Sequence, residues 1–188
     1  MLAVVGPGDT DDAALLAAAE EVGRLAALAG HDVVTGGLGG VMAAASRGAH
    51  DAGARVIGVL PGDDPAAANE WVDEAIATGL GQGRNAKVVE LADAVIGVGG
   101  SWGTLSEIAL ARRMGKPVVW LHGWRIDGPG DPVPAATTPQ EAVAIAVAQP
   151  RLRRNRSRQL DAGAGDDDRD GADGAVGGRD GGGSGRLS

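Results

Sequence analysis

Short runs of Val, Ile, Leu and Ala alternate with longer Ala-rich stretches whose apolar positions recur at helical spacing through the first 150 residues of the chain. The short runs predict strands at Leu2–Val5, Asp32–Thr35, Arg55–Leu60, Val72–Ala77, Ala94–Val98 and Pro117–Leu121. The longer ones predict helices at Asp11–Ala29, Val41–Ala52, Gly83–Ala92, Thr104–Met114 and Pro139–Ala148. Such βαβα alternation, with strands apolar at nearly every position, is the signature of a parallel sheet buried under helices on both faces. The fold class expected is therefore α/β, a doubly wound parallel sheet in three layers forming one Rossmann-like domain over residues 1–150. Boundary chemistry agrees. Asp9, Thr10, Asp11 and Asp12 supply caps or first-turn acids for the first helix, Gly30 and Gly115 are natural stops for the first and fourth, and Arg112 and Arg113 suit the carboxyl end of the fourth.

Beyond Pro150 the pattern is lost. A basic run, residues 151–158, leads into Asp166-Asp167-Asp168 and then into Gly, Asp and Arg with almost no apolar surface, so residues 151–188 are expected to be a disordered tail. Composition narrows the function of the folded part. The net charge is −8, from 17 Lys and Arg against 25 Asp and Glu, and the acidic excess lies before the tail. An acidic domain repels a nucleic-acid backbone, so a nucleic-acid partner is not expected for it, whereas a small anion can still be held by oriented amides and one or two arginines. There is no cysteine, which excludes disulfides, thiolate nucleophiles and sulfur-ligated zinc, and His31, His50 and His122 are too scattered for a metal cluster. The first apolar run is too short for a signal peptide and no run reaches the roughly 18 residues of a membrane helix, so a cytoplasmic protein is expected.

Two glycine-rich segments carry the candidate chemistry. The first runs from a strand through Gly36, Gly37, Gly39 and Gly40 to Val41 and Met42, and the second from a strand through Gly99, Gly100, Ser101, Trp102, Gly103 and Thr104 to Glu107. Glycines at the carboxyl end of a strand, followed at once by a helix, let backbone amides approach a ligand closely at the helix start. Neither segment completes G-x-G-x-x-G, and Gly115-Lys116 is followed by Pro117, so neither the dinucleotide fingerprint nor the Walker A loop is present. A mononucleotide or another ligand with a single phosphate group is the simplest fit. Arg84 and Asn85 follow a third glycine-rich loop, and Glu107 stands one turn into the helix after the second segment. Trp102, beside that segment, is placed either to stack on a ring or to pack in the core or at a dimer contact, whereas Trp71, Trp120 and Trp124 read as core or edge residues.

The order and spacing of Thr35–Met42, Val56–Pro61, Arg84-Asn85 and Asp93–Glu107 resemble the Lonely Guy (LOG) family and, within that superfamily, the branch that includes the molybdenum cofactor carrier proteins. The resemblance covers residues 2 to about 125. LOG enzymes cleave nucleoside 5'-monophosphates to free base and ribose 5-phosphate. Their pattern pairs an arginine followed by lysine with P-G-G-x-G-T-x-x-E, which puts Arg84 and Glu107 in the catalytic positions and Gly103 and Thr104 on the G-T. Three positions depart from it: Gly99 stands for the proline, Ser101 for the second glycine and Asn85 for the lysine. The resemblance thus implies one of two functions. In the first, the chain is a phosphoribohydrolase in which Ser101, Gly103 and Thr104 hold the 5'-phosphate, Gly36–Gly40 leave room for ribose and base, Glu107 stabilises the oxocarbenium-like state and activates water, and Arg84 holds that carboxylate, a ribose hydroxyl or a phosphate oxygen in place. In the second, the same pocket is a carrier or sensor for molybdenum cofactor or a nucleotide, with no chemistry. Either way no cofactor or metal is required for catalysis, and the family implies a homodimer.

Overall fold

The computed structural model describes residues 1–125 and 131–148. The tail expected at 151–188 lies outside the described residues. Seven parallel strands form one sheet in the order β4-β3-β2-β1-β5-β6-β7, with β1 at Leu2–Val5, β2 at Val33–Thr35, β3 at Val56–Leu60, β4 at Glu74–Ala77, β5 at Ala94–Val98, β6 at Val118–Leu121 and β7 at Ala135–Ala136. The five helices are α1 (Ala13–Leu28), α2 (Gly40–Asp51), α3 (Asn85–Leu91), α4 (Trp102–Arg113) and α5 (Pro139–Ala148). Central strand β1 pairs with β5 from Leu2↔Ala94 to Val5↔Gly97 and with β2 on its other side. Every residue of β1, β2, β3, β5 and β6 is buried, the condition of strands covered on both faces.

Two apolar clusters make the three layers. On one face Ala19, Val22 and Ala26 of α1, Val41 and Ala45 of α2, and Ala142 and Val143 of α5 meet Leu2, Val4 and Ile96. On the other, Val88 and Val89 of α3 and Ile108 and Ala111 of α4 meet Ala3, Val5 and Val95. The α/β, doubly wound, three-layer arrangement expected from the alternation is the one observed. Among the described residues no helix is long and apolar enough to cross a membrane.

The differences from the expected elements are local. Of the four acidic or hydroxyl residues before α1, Asp12 is the cap: its carboxylate accepts from the amides of Ala14 and Leu15. Helix α4 begins two residues early, because Ser101 rather than a later residue caps it, its Oγ accepting from the Thr104 amide at 3.2 Å. Gly103 is therefore inside the helix and not in the turn. The third helix also differs: Gly81–Arg84 forms a 3-10 turn, with Gly81 at φ 54°, before α3 starts at Asn85. Strand β7 was not predicted. Two alanines carry no strand signal, and only pairing with Trp120 and Leu121 at the sheet edge makes them one.

Candidate functional site

In this sheet the chain proceeds outward from β1 in one direction through β2, β3 and β4, and in the other through β5, β6 and β7. The reversal falls between β1 and β5. Connections leaving those two strands diverge to opposite faces, and an open crevice at the carboxyl end is the geometric result. A cleft of about 920 Å³ lies there, within the usual range for small-ligand sites. Its wall is built from the loop after β1 (Gly6, Gly8, Asp9), the turn after β2 (Gly36, Leu38, Met42), the start of α3 (Arg84, Asn85) and the start of α4 (Ser101 to Thr104, Ser106, Glu107). Five of the predicted positions, Gly37, Gly39, Gly40, Gly99 and Gly100, are not among the residues that line this cleft.

The start of α4 is where an anion would be met. Ser101 Oγ is already engaged, with the Thr104 amide and with Thr104 Oγ1 at 2.9 Å, and Thr104 is buried. The amides of Trp102 and Gly103 have no acceptor among the described residues. They are the first-turn donors that a helix leaves open, at its positive end. Of the expected cradle of Ser101, Gly103 and Thr104, the serine hydroxyl and the Thr104 amide are engaged with each other in the cap, while the main-chain N–H groups of Ser101, Trp102 and Gly103 have no acceptor among the described residues.

Asn85 braces that turn. Its Nδ2 donates to Ser106 Oγ at 3.1 Å, and Ser106 Oγ donates to the Gly103 carbonyl at 2.7 Å, so the start of α3 is tied to the start of α4. The departure at Gly99 also has a local cause. Its φ is +69°, a left-handed conformation that a proline ring, fixed near −65°, does not take.

Glu107 is 6% exposed, lies on the cleft wall, and accepts no hydrogen bond from the described residues. Burial pushes its carboxyl up from 4.5 to about 8, partly countered by the charge of Arg84. A carboxyl so raised favours its protonated form at neutral pH. Arg84, 7% exposed, is itself pulled below its ordinary value by burial, against the opposing influence of Glu107. Among the described residues the two make no ion pair. Arg84 Nη1 donates instead to the Val59 carbonyl at 3.0 Å, Nη2 faces Met42 Sδ at 3.8 Å, and Nε is buried without a partner. Of the roles expected for Arg84, a grip on the Glu107 carboxylate is not seen: the guanidinium is held by the main chain of β3 and the thioether of α2.

Several lining residues were missed from sequence. Gly6, Gly8 and Asp9 enter the cleft because β1 is the central strand, a fact of topology and not of local pattern. Asn69 was missed as well. Its amide donates to the Gly37 carbonyl at 2.8 Å and its Nδ2 to the Leu38 carbonyl at 3.0 Å, which pins the first glycine turn from the β3–β4 connection. The nearest available signal was the turn-forming Asn69 itself. Among the described residues no group of three or more His, Asp or Glu is placed to hold a metal ion.

A family model described as the SLOG cluster4 family matches residues 1–151. An uncharacterized protein of Archaeoglobus fulgidus is 39% identical over 148 residues, spanning 76% of this chain and 91% of the relative. The molybdenum cofactor binding protein of the phototrophic bacterium Rippkaea orientalis superposes with a TM-score of 0.70 at 37% identity, covering 77% of this chain and 93% of that one. The molybdenum cofactor carrier protein of Chlamydomonas reinhardtii does so with a TM-score of 0.65 at 34% identity, covering 76% and 93%.

Proposed function

The chain belongs to the SLOG cluster4 family, and from that premise we propose that it is a carrier that holds a phosphorylated pterin of the molybdenum-cofactor type in the β1/β5 cleft and releases it unchanged. One observation carries the reading. Glu107 lies buried on the cleft wall, meets no hydrogen-bond donor among the described residues, and has its carboxyl raised to about 8 by burial, which favours the protonated form at physiological pH. A neutral Glu107 does not repel a phosphate held by the Trp102 and Gly103 amides at the start of α4. It also lacks the negative charge that stabilises an oxocarbenium-like state. Asn85, where the hydrolytic pattern has lysine, is spent on bracing Ser106. The two similar proteins described as binding or carrying molybdenum cofactor agree with this reading.

A phosphoribohydrolase is the second reading, favoured by the presence of both Arg84 and Glu107 on one wall and by a carboxyl value near neutrality, which suits a general acid. The deciding experiment purifies the chain from a molybdopterin-producing host, oxidises it and looks for released fluorescent pterin. In parallel, AMP, GMP, CMP, UMP and IMP are incubated with the protein and free base is followed. The carrier reading expects pterin and no base. Release of base by the wild type, falling about a hundredfold or more in Glu107→Gln, would transfer the assignment to the hydrolase.

A further inference from the structure

The chain has no Phe and no Tyr, so four tryptophans are its whole aromatic complement. Three of them converge beside the phosphate-binding end of the cleft although they come from different segments. Trp120, on β6, is 2% exposed and donates its indole N–H to the Gly99 carbonyl, the residue that shapes the second glycine turn. Trp124 lies against it with ring centroids 6.3 Å apart. Trp102 meets Trp124 edge to face at 5.2 Å with planes at 74°. The main chain is cleared for this packing: a Cβ on Gly100 would come within 2.5 Å of the Trp124 ring nitrogen. Outermost in the series, Trp102 is 79% exposed and lines the cleft at the first position of α4. A large indole held in water beside a polar site costs apolar surface that a core position would have buried. Its backbone amide is one of the open donors there, so a ligand whose phosphate meets that amide brings its remaining atoms within reach of the same residue's ring.

We propose that Trp102, propped by Trp124 and Trp120, is a stacking platform that selects ligands carrying a planar heterocycle next to their phosphate. This deepens the carrier reading and rests on it. The Trp102 side chain acts on the ring and the main chain acts on the phosphate, so the two contributions are separable.

The probe is neopterin monophosphate, a fluorescent pterin with one phosphate and no N-glycosidic bond to cleave, compared with the ringless glycerol 3-phosphate. Both are titrated into wild type, Trp102→Ala, Trp102→Phe and, as a control outside the cleft, Trp71→Phe. Wild type and W71F are expected to quench the pterin emission on binding. Affinity for the pterin should fall about tenfold or more in W102A, the scale of one base-on-aromatic stack, and recover largely in W102F, while affinity for glycerol 3-phosphate stays constant. Equal losses for both ligands in W102A would overturn the proposal, since the residue would then act through the shape of the turn. Unchanged pterin affinity would overturn it too, as would a drop in sedimenting mass in W102A, which would assign the indole to a second copy of the chain. Equal binding of both ligands by the wild type would remove the platform and leave the phosphate site standing. Binding of neither would remove the carrier reading along with the platform.

Discussion

The two glycine turns look alike in sequence and do different work. Behind β2, the loop after β1 packs on the start of α2 and takes one of its first-turn donors: the Val41 amide donates to the Pro7 carbonyl at 3.0 Å. The carbonyls of Gly37 and Leu38 are taken by Asn69. Gly36 gives up a side chain to make room for the Arg84 guanidinium, and Gly40, at φ +58°, has the Pro7 carbonyl oxygen where a Cβ would project. Behind β5, the start of α4 faces the open cleft, capped by the Ser101 side chain, with the Trp102 and Gly103 amides open and an exposed indole beside them. Gly40 in the first turn answers to the protein's own main chain, whereas Gly103, at the start of α4, stands on the cleft wall. The pattern Gly-rich turn plus helix is therefore a statement about close approach, and tertiary context decides what approaches.

The largest expected contrast comes from the acid that only the second turn has behind it. Glu107 holds its proton more tightly folded than unfolded, so between 4.5 and about 8 the unfolded chain binds fewer protons, and stability falls as pH rises through that window and levels off above it. The fall should amount to roughly 4 kcal/mol and be absent in Glu107→Gln, whose denaturation midpoints would vary far less between pH 5 and 9. An identical pH dependence in both proteins would mean that the carboxyl is not held neutral. Next is Gly40→Ala. A left-handed backbone and a main-chain oxygen in the way should together cost about 3 kcal/mol, read as a lowered midpoint in urea. Tolerance of alanine there would place the first turn in the same class as the second.

Smaller effects sharpen the distinction at the second turn. Ser101→Ala removes the cap of α4 and should cost about 1 kcal/mol of stability by thermal melting. Gly103→Ala should cost nothing and can add about 0.5 kcal/mol, because its Cβ would lie in a helix, 3.7 Å from Ser101 Oγ with no other heavy atom within 4 Å. The same methyl stands at the cleft wall beside a free amide, so calorimetry should find ligand affinity reduced in a protein that is as stable as wild type. Unreduced affinity would take the Gly103 amide out of the binding site.

How much of this was legible is best judged element by element. Six of the seven strands were readable, five of them because strands buried on both faces are apolar at consecutive positions, and the sixteen residues of α1 because caps and spacing agree. Arg84 and Glu107 were singled out from their places after glycine-rich loops and from the resemblance, and the fold brings both to one wall. Of the loop Gly6–Asp9 only Asp9 was singled out, as a candidate cap or first-turn acid, since nothing in Gly6-Pro7-Gly8 says that the strand before it is central. Trp124 was read as core or edge, and it is 41% exposed, packed between the other two indoles.

The amino-acid sequence by itself determined what depends on neighbours along the chain: the apolar periodicity that separates strands from helices, the glycines that permit sharp turns, the caps, and the acidic balance that disfavours polyanions. Tertiary structure alone decided which helix start remains open, that Glu107 loses water and so keeps its proton, that Arg84 bonds to Val59 and not to Glu107, and that three tryptophans meet. The physical reason is common to all four. Desolvation, the occupation of a donor and ring packing are set by atoms distant in sequence, and only strand order and layer packing bring those atoms within reach.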